Sequence, residues 1–513
     1  MHLTELAKLY KSVIGGDYAQ QKEIGFSPRA GVRPITVTVP FRWLHADRNV
    51  EFSLHAWRIL NPIFQEFIAT QDPVYVVEAC NLISDWNRYR KDGGKSPFLW
   101  YDMAVGLRAV ALAFIANLEK NGYVTLDIAA SAMLHELSTL HIEHLSKAEN
   151  ITAGNHAIYQ ILGLRLLSIA RDVPDTEDFC NDELEKLLQK SFDRNSVNTE
   201  NSPFYHHYNI GLLWQLRGNL FPKLDDRITH ILKQGNSISG WLTAPDGNFF
   251  CIGDTEGKGK PLTAPGPADK RSLPGKFVHK DLHESGYIVV RSHPSTPLND
   301  SAAVVFHATN ASLVHAHADH LSFILIHKGA ELLSDPGKYT YNYDKWRQYF
   351  ISDRAHNVVG LSSHTFYPDD TPPGSARLDP LVRDGDAYVL SGTVQRGQIF
   401  KTNRQIKYTP AQCVSIIDQV SHFTEHPVES RLHLGAGLDC KLRGHEYVVS
   451  RDNVPLAVIK PDMQQLDMRD FKGSVDPIIG WSSKKYGQKQ ASISLVLTYP
   501  PQVRSIAIKI ELL

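Results

Sequence analysis

The stretch "GDTEGKGKPLTAPGPADKRSLPGK", residues 253–276, divides the chain by character. Its glycines and prolines punctuate the backbone too densely for a helix or strand to run through, so it reads as a loop or linker. On its N-terminal side, from about residue 50 to 240, apolar residues recur at helical spacing. In "YDMAVGLRAVALAFIANLEKNG" Met103, Leu107, Val110, Phe114 and Leu118 fall at steps of three and four, and Gly122 supplies a stop. "LDIAASAMLHELSTLHIEHLSKA", "NHAIYQILGLRLLSIARDV" and "DELEKLLQKSFDRN" read the same way, with no strand between them. On the C-terminal side the pattern turns to short β-branched runs such as "GYIVVRS", "SAAVVFHAT", "SFILIHKG", "CVSIIDQVS" and "SISLVLTYP", each bounded by turn residues. The expected fold class is therefore segregated α+β: a helical domain over 1–275, then an antiparallel, sandwich-like β domain over 276–513.

Composition narrows the function classes. The 513 residues are 42% hydrophobic, which suits an ordinary globular chain of two or three domains. With 54 basic against 55 acidic side chains, no global field favours nucleic acid, although a local basic cleft for an acidic ligand is compatible. Five widely spaced cysteines without a C-x-x-C pair argue against a disulfide scaffold and a thiolate zinc site. The longest apolar run, "AVALAFIANL" at 109–118, is far short of a membrane span. No secretory signal is visible at the N-terminus, so a cytoplasmic location is expected if the chain is complete, and a periplasmic or secreted one if a leader was removed.

Three constellations could carry chemistry. "VHAHADH" (314–320) packs His315, His317, Asp319 and His320 together. If it is extended, His315, His317 and Asp319 share one face. Imidazole and carboxylate are ordinary zinc ligands, and Asp335 in "LLSDPGKYTYN" and His356 in "DRAHNVV" are the downstream candidates to complete a set; the alternative is a hydrogen-bonded, histidine-rich turn. "GNHAIYQ" places Asn155 and His156 at a helix start, where asparagine also serves as an N-cap. "ENSPFYHHYNIG" crowds Tyr205, His206, His207 and Tyr208 after a proline, which suits sugar stacking and proton transfer as well as a core-plugging helix start.

In this order the elements resemble a family. "HAHADHLSFILIHKGAELLSDPGKYTYN…YFISDRAHNVVGL" is similar to the heparinase II/III-like polysaccharide lyases, whose pattern runs H-x-H-A-D, D-P-G-x-Y, A-H-N. The upstream "NH", "SPFYH" and "DGNFFCIGDT" elements also match it, so the resemblance spans roughly 95–360 by motif. It implies an incomplete α/α toroid followed by stacked antiparallel sheets, with the active site in the cleft between them, and β-elimination at a uronic acid of an acidic polysaccharide such as alginate or a glycosaminoglycan, in a bacterial setting. By the same resemblance Asn155 and His156 face the uronate carboxylate, Tyr205 is the phenolic acid/base and His315 the catalytic histidine. His317, Asp335 and His356 bind zinc, with Asp319 the rival ligand. Tyr208 is the rival phenol and, with Tyr339, a candidate to touch substrate; by their place in the block Arg347, Arg354 and Lys338 could pair with substrate carboxylates or sulfates, or equally be exposed solubilising charge. Position 159 is tyrosine where some members carry an acid, which bears on substrate identity. Homo-oligomerisation is left open.

A glycoside hydrolase would instead need two carboxylates flanking the bond, and no such pair stands out among these motifs. A non-catalytic polysaccharide-binding or biosynthesis accessory protein is the remaining alternative.

Overall fold

Helices form where the 3.6-residue pattern runs. The computed structural model describes residues 2–11, 26, 35–260, 276–422, 425–462 and 467–513. In chain order its α-helices are α1 (Leu3–Leu9), α2 (Arg48–His55), α3 (Asn61–Thr70), α4 (Val74–Lys91), α5 (Asp102–Lys120), α6 (Ile128–Leu145), α7 (Gly154–Ala170), α8 (Glu177–Ser191), α9 (Pro203–Leu213), α10 (Asp225–Trp241) and α11 (Lys345–Ile351). Most of the dividing stretch, 261–275, lies outside the described residues.

The described chain clusters into two compact units: Met1–Ser191 with Gly211–His230, and Phe192–Ile210 with Ile231–Leu513. The change of sequence pattern put the boundary at 275, yet Phe192–Ile210 and the chain from Ile231 group with the strands. The reason is burial: Val197, Ile238, Leu242, Phe250 and Ile252 pack in one apolar cluster with Tyr287, Val289, Val305 and Ile324.

In the first unit α5 is buried on nearly every side, including all five residues of its predicted stripe. It meets α7 at two facing glycines. A Cβ on Gly106 would lie 2.5 Å from Tyr159 O, and one on Gly163 would lie 2.4 Å from Gly106 O. Only glycine allows backbones so close. The segment before α2 is pinned by Asp85, whose carboxylate accepts from Phe41 N (2.9 Å) and Trp43 Nε1 (3.0 Å) and pairs with Arg88.

Burial alone would raise the Asp85 pKa, but these donors and Arg88 hold it below its usual 3.8. Because the folded value lies below the unfolded one, this contribution to stability is full above the unfolded pKa and fades as pH falls through the folded one. Urea titrations of Asp85→Asn and wild-type should therefore differ fully above pH ~4 and converge in more acidic buffer.

The second unit is antiparallel throughout its named strand pairs. Strands β1 (Phe277–Leu282), β2 (Tyr287–Ser292), β3 (Ala303–His307), β4 (Phe323–His327) and β5 (Ala330–Leu333) form a meander in sequence order. A larger sheet centres on Ala387–Arg396, Phe400–Thr409, Cys413–His422 and Ser505–Leu512, and a four-stranded sheet holds Val359–Leu361, Val428–His433, Ile493–Tyr499 and Asp467–Lys472. Along Phe400–Thr409 buried and exposed residues alternate, as expected of a sheet wetted on one face. β2 to β4 are buried on both faces and hence read as unbroken apolar runs. Ile288 and Val290 face the main β core, while Tyr287 and Val289 face the cluster made with α10.

One ion pair joins sheet to loops. Arg404 and Asp418 face each other across paired strands, bonded twice (2.7 and 2.9 Å) and both fully buried. The same guanidinium donates to Leu321 O (2.8 Å) and to Asn357 O, so it ties down the chain just after both histidine motifs. Asp418→Asn strands this charge and should cost ~3–5 kcal/mol in denaturant unfolding.

Candidate active site

The "VHAHADH" segment is not a strand. Residues 311–322 are turns and bends, and His315 takes a left-handed φ of +56°. Expected on one face of an extended run, His315 and His317 are instead aimed by a second loop, "IGDT", to which the motif pattern assigns no role. There Gly253 has φ +55°, and a Cβ on it would meet Asn201 O at 2.6 Å and His315 O at 2.7 Å. That close passage lets Asp254 N donate to His315 O at 3.1 Å. Asn201 Nδ2 donates to Ser312 O and Val314 O, holding the same turn from the other side.

The Asp254 carboxylate orients both histidines. Oδ2 accepts from His315 Nδ1 (3.1 Å) and Oδ1 from His317 Nε2 (3.0 Å), while Arg347 clamps both oxygens at 2.5 and 3.0 Å. Burial would raise this carboxyl's pKa, but the two imidazoles and Arg347 hold it well below the usual range. An ionised Asp254 accepts only, so His315 carries its proton on Nδ1 and His317 on Nε2. In the neutral imidazole the lone pair then lies on Nε2 of His315 and on Nδ1 of His317. Burial lowers the His317 pKa to about 4, which keeps it neutral.

On the His315 side, the Tyr205 ring stacks face to face on the imidazole, with centroids 3.5 Å apart and planes 8° apart. Tyr205 Oη lies 2.8 Å from Tyr341 Oη, and His315 Nε2 lies 3.6 Å from Glu200 Oε2. Burial pushes the Tyr205 phenol up; its bond to Tyr341 opposes this and the Asp254 and Glu200 charges add to it, so the phenol is protonated at neutral pH. A catalytic phenol is expected to have cations nearby that lower its pKa; the cations present are already spent on carboxylates. Arg347 serves Asp254, and Lys338 Nζ pairs with Glu256 (2.8 Å) above the rings of Phe204, Tyr341 and Tyr486.

On the His317 side, one ligand atom each from His317, Asp335 and His356 lie within 4.8 Å of one another, all buried. His317 Nδ1 and His356 Nε2 have no hydrogen-bond partner, and His356 Nδ1 lies 2.8 Å from Asp335 Oδ2. Two orphaned imidazole nitrogens beside a carboxylate fit a divalent ion such as zinc. A histidine that ligates a metal commonly bonds a carboxylate through its other nitrogen, and Asp254 stands in that relation to His317.

Other predicted residues are placed differently. Tyr339 stacks on Phe350 and packs against a small apolar cluster containing Ile479, away from the Tyr205–His315 stack; its neighbour but one, Tyr341, takes that place. Arg354 is used structurally, bonded to Glu429 (2.9 Å) and to the carbonyls of Leu361, Ser362 and His364. Tyr208 lies edge-on to Tyr205 at 6.3 Å, one step removed from His315. His320, which an extended segment would put on the far face, is bonded to Asn310. In the first unit Ala153, not Asn155, is the N-cap of α7, so Asn155 has no capping task; His156 Nδ1 is held by Asp102 Oδ2 at 2.8 Å. Asp254, Glu200, Tyr341 and Asp102 escape a reading of the sequence although each lies in or beside a recognisable motif, because no local spacing aims them.

Comparison with known proteins bears on the fold. Residues 275–511 match the family model described as heparinase II/III-like, C-terminal. The chain carries a heparinase II/III-like C-terminal domain. Across the whole chain the fold is similar to a crystal structure of heparinase III, at 15% identity and a TM-score of 0.74, over 100% of this chain and 86% of that one. It is also similar to heparan sulfate lyase HepC from Pedobacter heparinus, at 17% identity and a TM-score of 0.65, over 99% and 82% of the two chains. At these identities what is shared is the fold: a helical region followed by antiparallel sheets, as the heparinase-like motifs implied. No curated protein sequence matches. Among the described residues no helix is long and apolar enough to cross a membrane.

Proposed function

We propose that this chain is a polysaccharide lyase that breaks a uronate linkage of an acidic polysaccharide by β-elimination, leaving a C4–C5 unsaturated end. The Tyr205–His315 stack carries the reading. Elimination needs an acceptor for the C5 proton and a donor for the departing C4 oxygen. His315, with Nδ1–H committed to Asp254, offers Nε2 as acceptor, and the imidazolium formed would sit between Asp254 and Glu200. Tyr205, protonated at rest, is the donor. Positioned acid–base groups of this kind are typically worth about 10²–10⁴ in rate.

The uronate carboxylate, once C5 is deprotonated, carries enolate charge that fixed donors stabilise. Asn155 and His156 are proposed for that task on their motif alone. His317, Asp335 and His356 would hold zinc, which when bound supplies a positive charge and a cross-link between the loops that carry them. Metal removal by a chelator should therefore lower the melting temperature, and His317→Ala should already melt lower without chelator and drop less than wild-type when chelator is added. A thermal scan in which the chelator shifts both proteins equally would count against this ligand set.

The carboxylates nearest His315 do not favour hydrolysis. Asp254 is saturated by two imidazoles and Arg347, and both it and Glu200 are buried rather than set across an open site. Incubation with heparan sulfate, the polymer named for one structural neighbour, and with alginate and hyaluronan separates the readings. Rising ultraviolet absorbance from the conjugated double bond supports elimination, whereas new reducing ends without it would establish a hydrolase.

A further inference from the structure

A second group of ligand atoms lies beside the first and shares Asp335 with it, while its other members, His307 and Asp319, have no part in the chemistry proposed above. His307, Asp319 and Asp335 each offer one atom, and these lie within 4.8 Å of one another. His307 ends β3, fully buried, and neither ring nitrogen has a hydrogen-bond partner. Burying an imidazole with both nitrogens idle forfeits its hydrogen bonds to water with nothing in return. Asp319 is 2% exposed, and its carboxylate accepts from backbone N–H groups, that of Gly253 at 3.3 Å and its own. Asp335 is fully buried; Oδ2 faces His356 Nδ1, while Oδ1 has only a long bond from Gly337 N at 3.4 Å. Two buried carboxylates beside an unengaged imidazole leave negative charge that needs compensation in a water-poor interior.

We propose that His307, Asp319 and Asp335 bind a second divalent cation, with Asp335 shared between this site and the His317–Asp335–His356 site. A carboxylate has two oxygens and can serve two ions, a sharing common in two-metal sites. Imidazole with carboxylate ligands suits zinc and its first-row neighbours rather than calcium or magnesium, which take all-oxygen shells. The second ion ties the end of β3 to the histidine loop and to the loop after β5. In this arrangement Asp319 is not a rival for the first ion but a ligand of its neighbour.

The test needs no substrate, so its failure is separate from failure of the elimination reading. The full-length protein is stripped with chelator, dialysed against Zn²⁺ or Co²⁺, and its ions are counted by mass spectrometry. Two ions per chain are expected, falling to one in His307→Gln and to one in His317→Ala. With Co²⁺, the two ions joined through Asp335 should show magnetic coupling that either variant abolishes. One ion that His307→Gln removes and His317→Ala keeps would support this site and speak against the first. One ion that His317→Ala removes and His307→Gln keeps, or no bound ion, overturns the proposal: a water molecule or a proton on Asp319 would then be filling the role. The wild-type count and coupling decide the matter even if His307→Gln does not fold, and Asp319→Asn provides a second variant with the same expected loss of one ion.

Discussion

Tyr205→Phe should lower the formation of unsaturated product by about 10²–10⁴-fold, the usual worth of a positioned proton donor. The substitution removes one oxygen and keeps the ring that stacks on His315 at 3.5 Å, so packing is spared and the missing group is the phenolic proton. Tyr341 loses its 2.8 Å partner but keeps its place beside the Arg347 guanidinium, and its own hydroxyl remains. The discriminating measurement is a substrate whose group at C4 leaves without protonation. Tyr205→Phe should recover on it if Tyr205 is the acid, while His315→Ala should stay inactive because the C5 proton still has no acceptor. Tyr208→Phe, one step removed from His315, should retain most activity; equal loss in both tyrosine variants would undo the assignment.

Asp254→Ala should cost ~3–5 kcal/mol of stability, as much as Asp418→Asn, because it leaves the Arg347 guanidinium largely buried without its counter-charge. The side chains of Arg347 and Asp254 are 11% and 2% exposed, so water cannot substitute for the pair. The same substitution frees the tautomers of His315 and His317 together, so product formation and metal retention should both fall. Arg347→Met in the Asp254→Ala background should return part of the stability, since it removes the stranded charge, but neither the activity nor the metal. Denaturant unfolding of the single and double variants measures the first effect, and metal content the second. Unchanged metal content in Asp254→Ala would refute the supporting role given to Asp254 at His317.

The two histidines of "VHAHADH" face different neighbours, His315 the Tyr205 ring and His317 the Asp335–His356 pair, but not for the reason strand alternation suggests. In a strand they would share a face. In the turn that forms His315 is itself left-handed, and both are aimed by one carboxylate, that of Asp254, 61 residues upstream of His315. The motif is local and legible; the aiming is long-range and is not. Arg347 and Arg354 show the same limit. Both lie in the same block and by sequence are equally available to an anionic sugar, yet one is spent on Asp254 and the other on Glu429. Whether a cation is open to a ligand depends on which acid the fold brings to it.

By itself the sequence determined the segregation of helices from strands, because hydrophobic periodicity is set by the local geometry of each element. It also determined which short motifs carry imidazole, phenol and carboxylate groups. Only the tertiary structure decided that 192–210 and the chain from 231 join the strands, that Tyr205 rather than Tyr208 meets His315, and that Asp254 governs both histidines. Those outcomes depend on contacts between residues far apart in the chain, where burial and charge pairing act through space and leave no mark on local spacing.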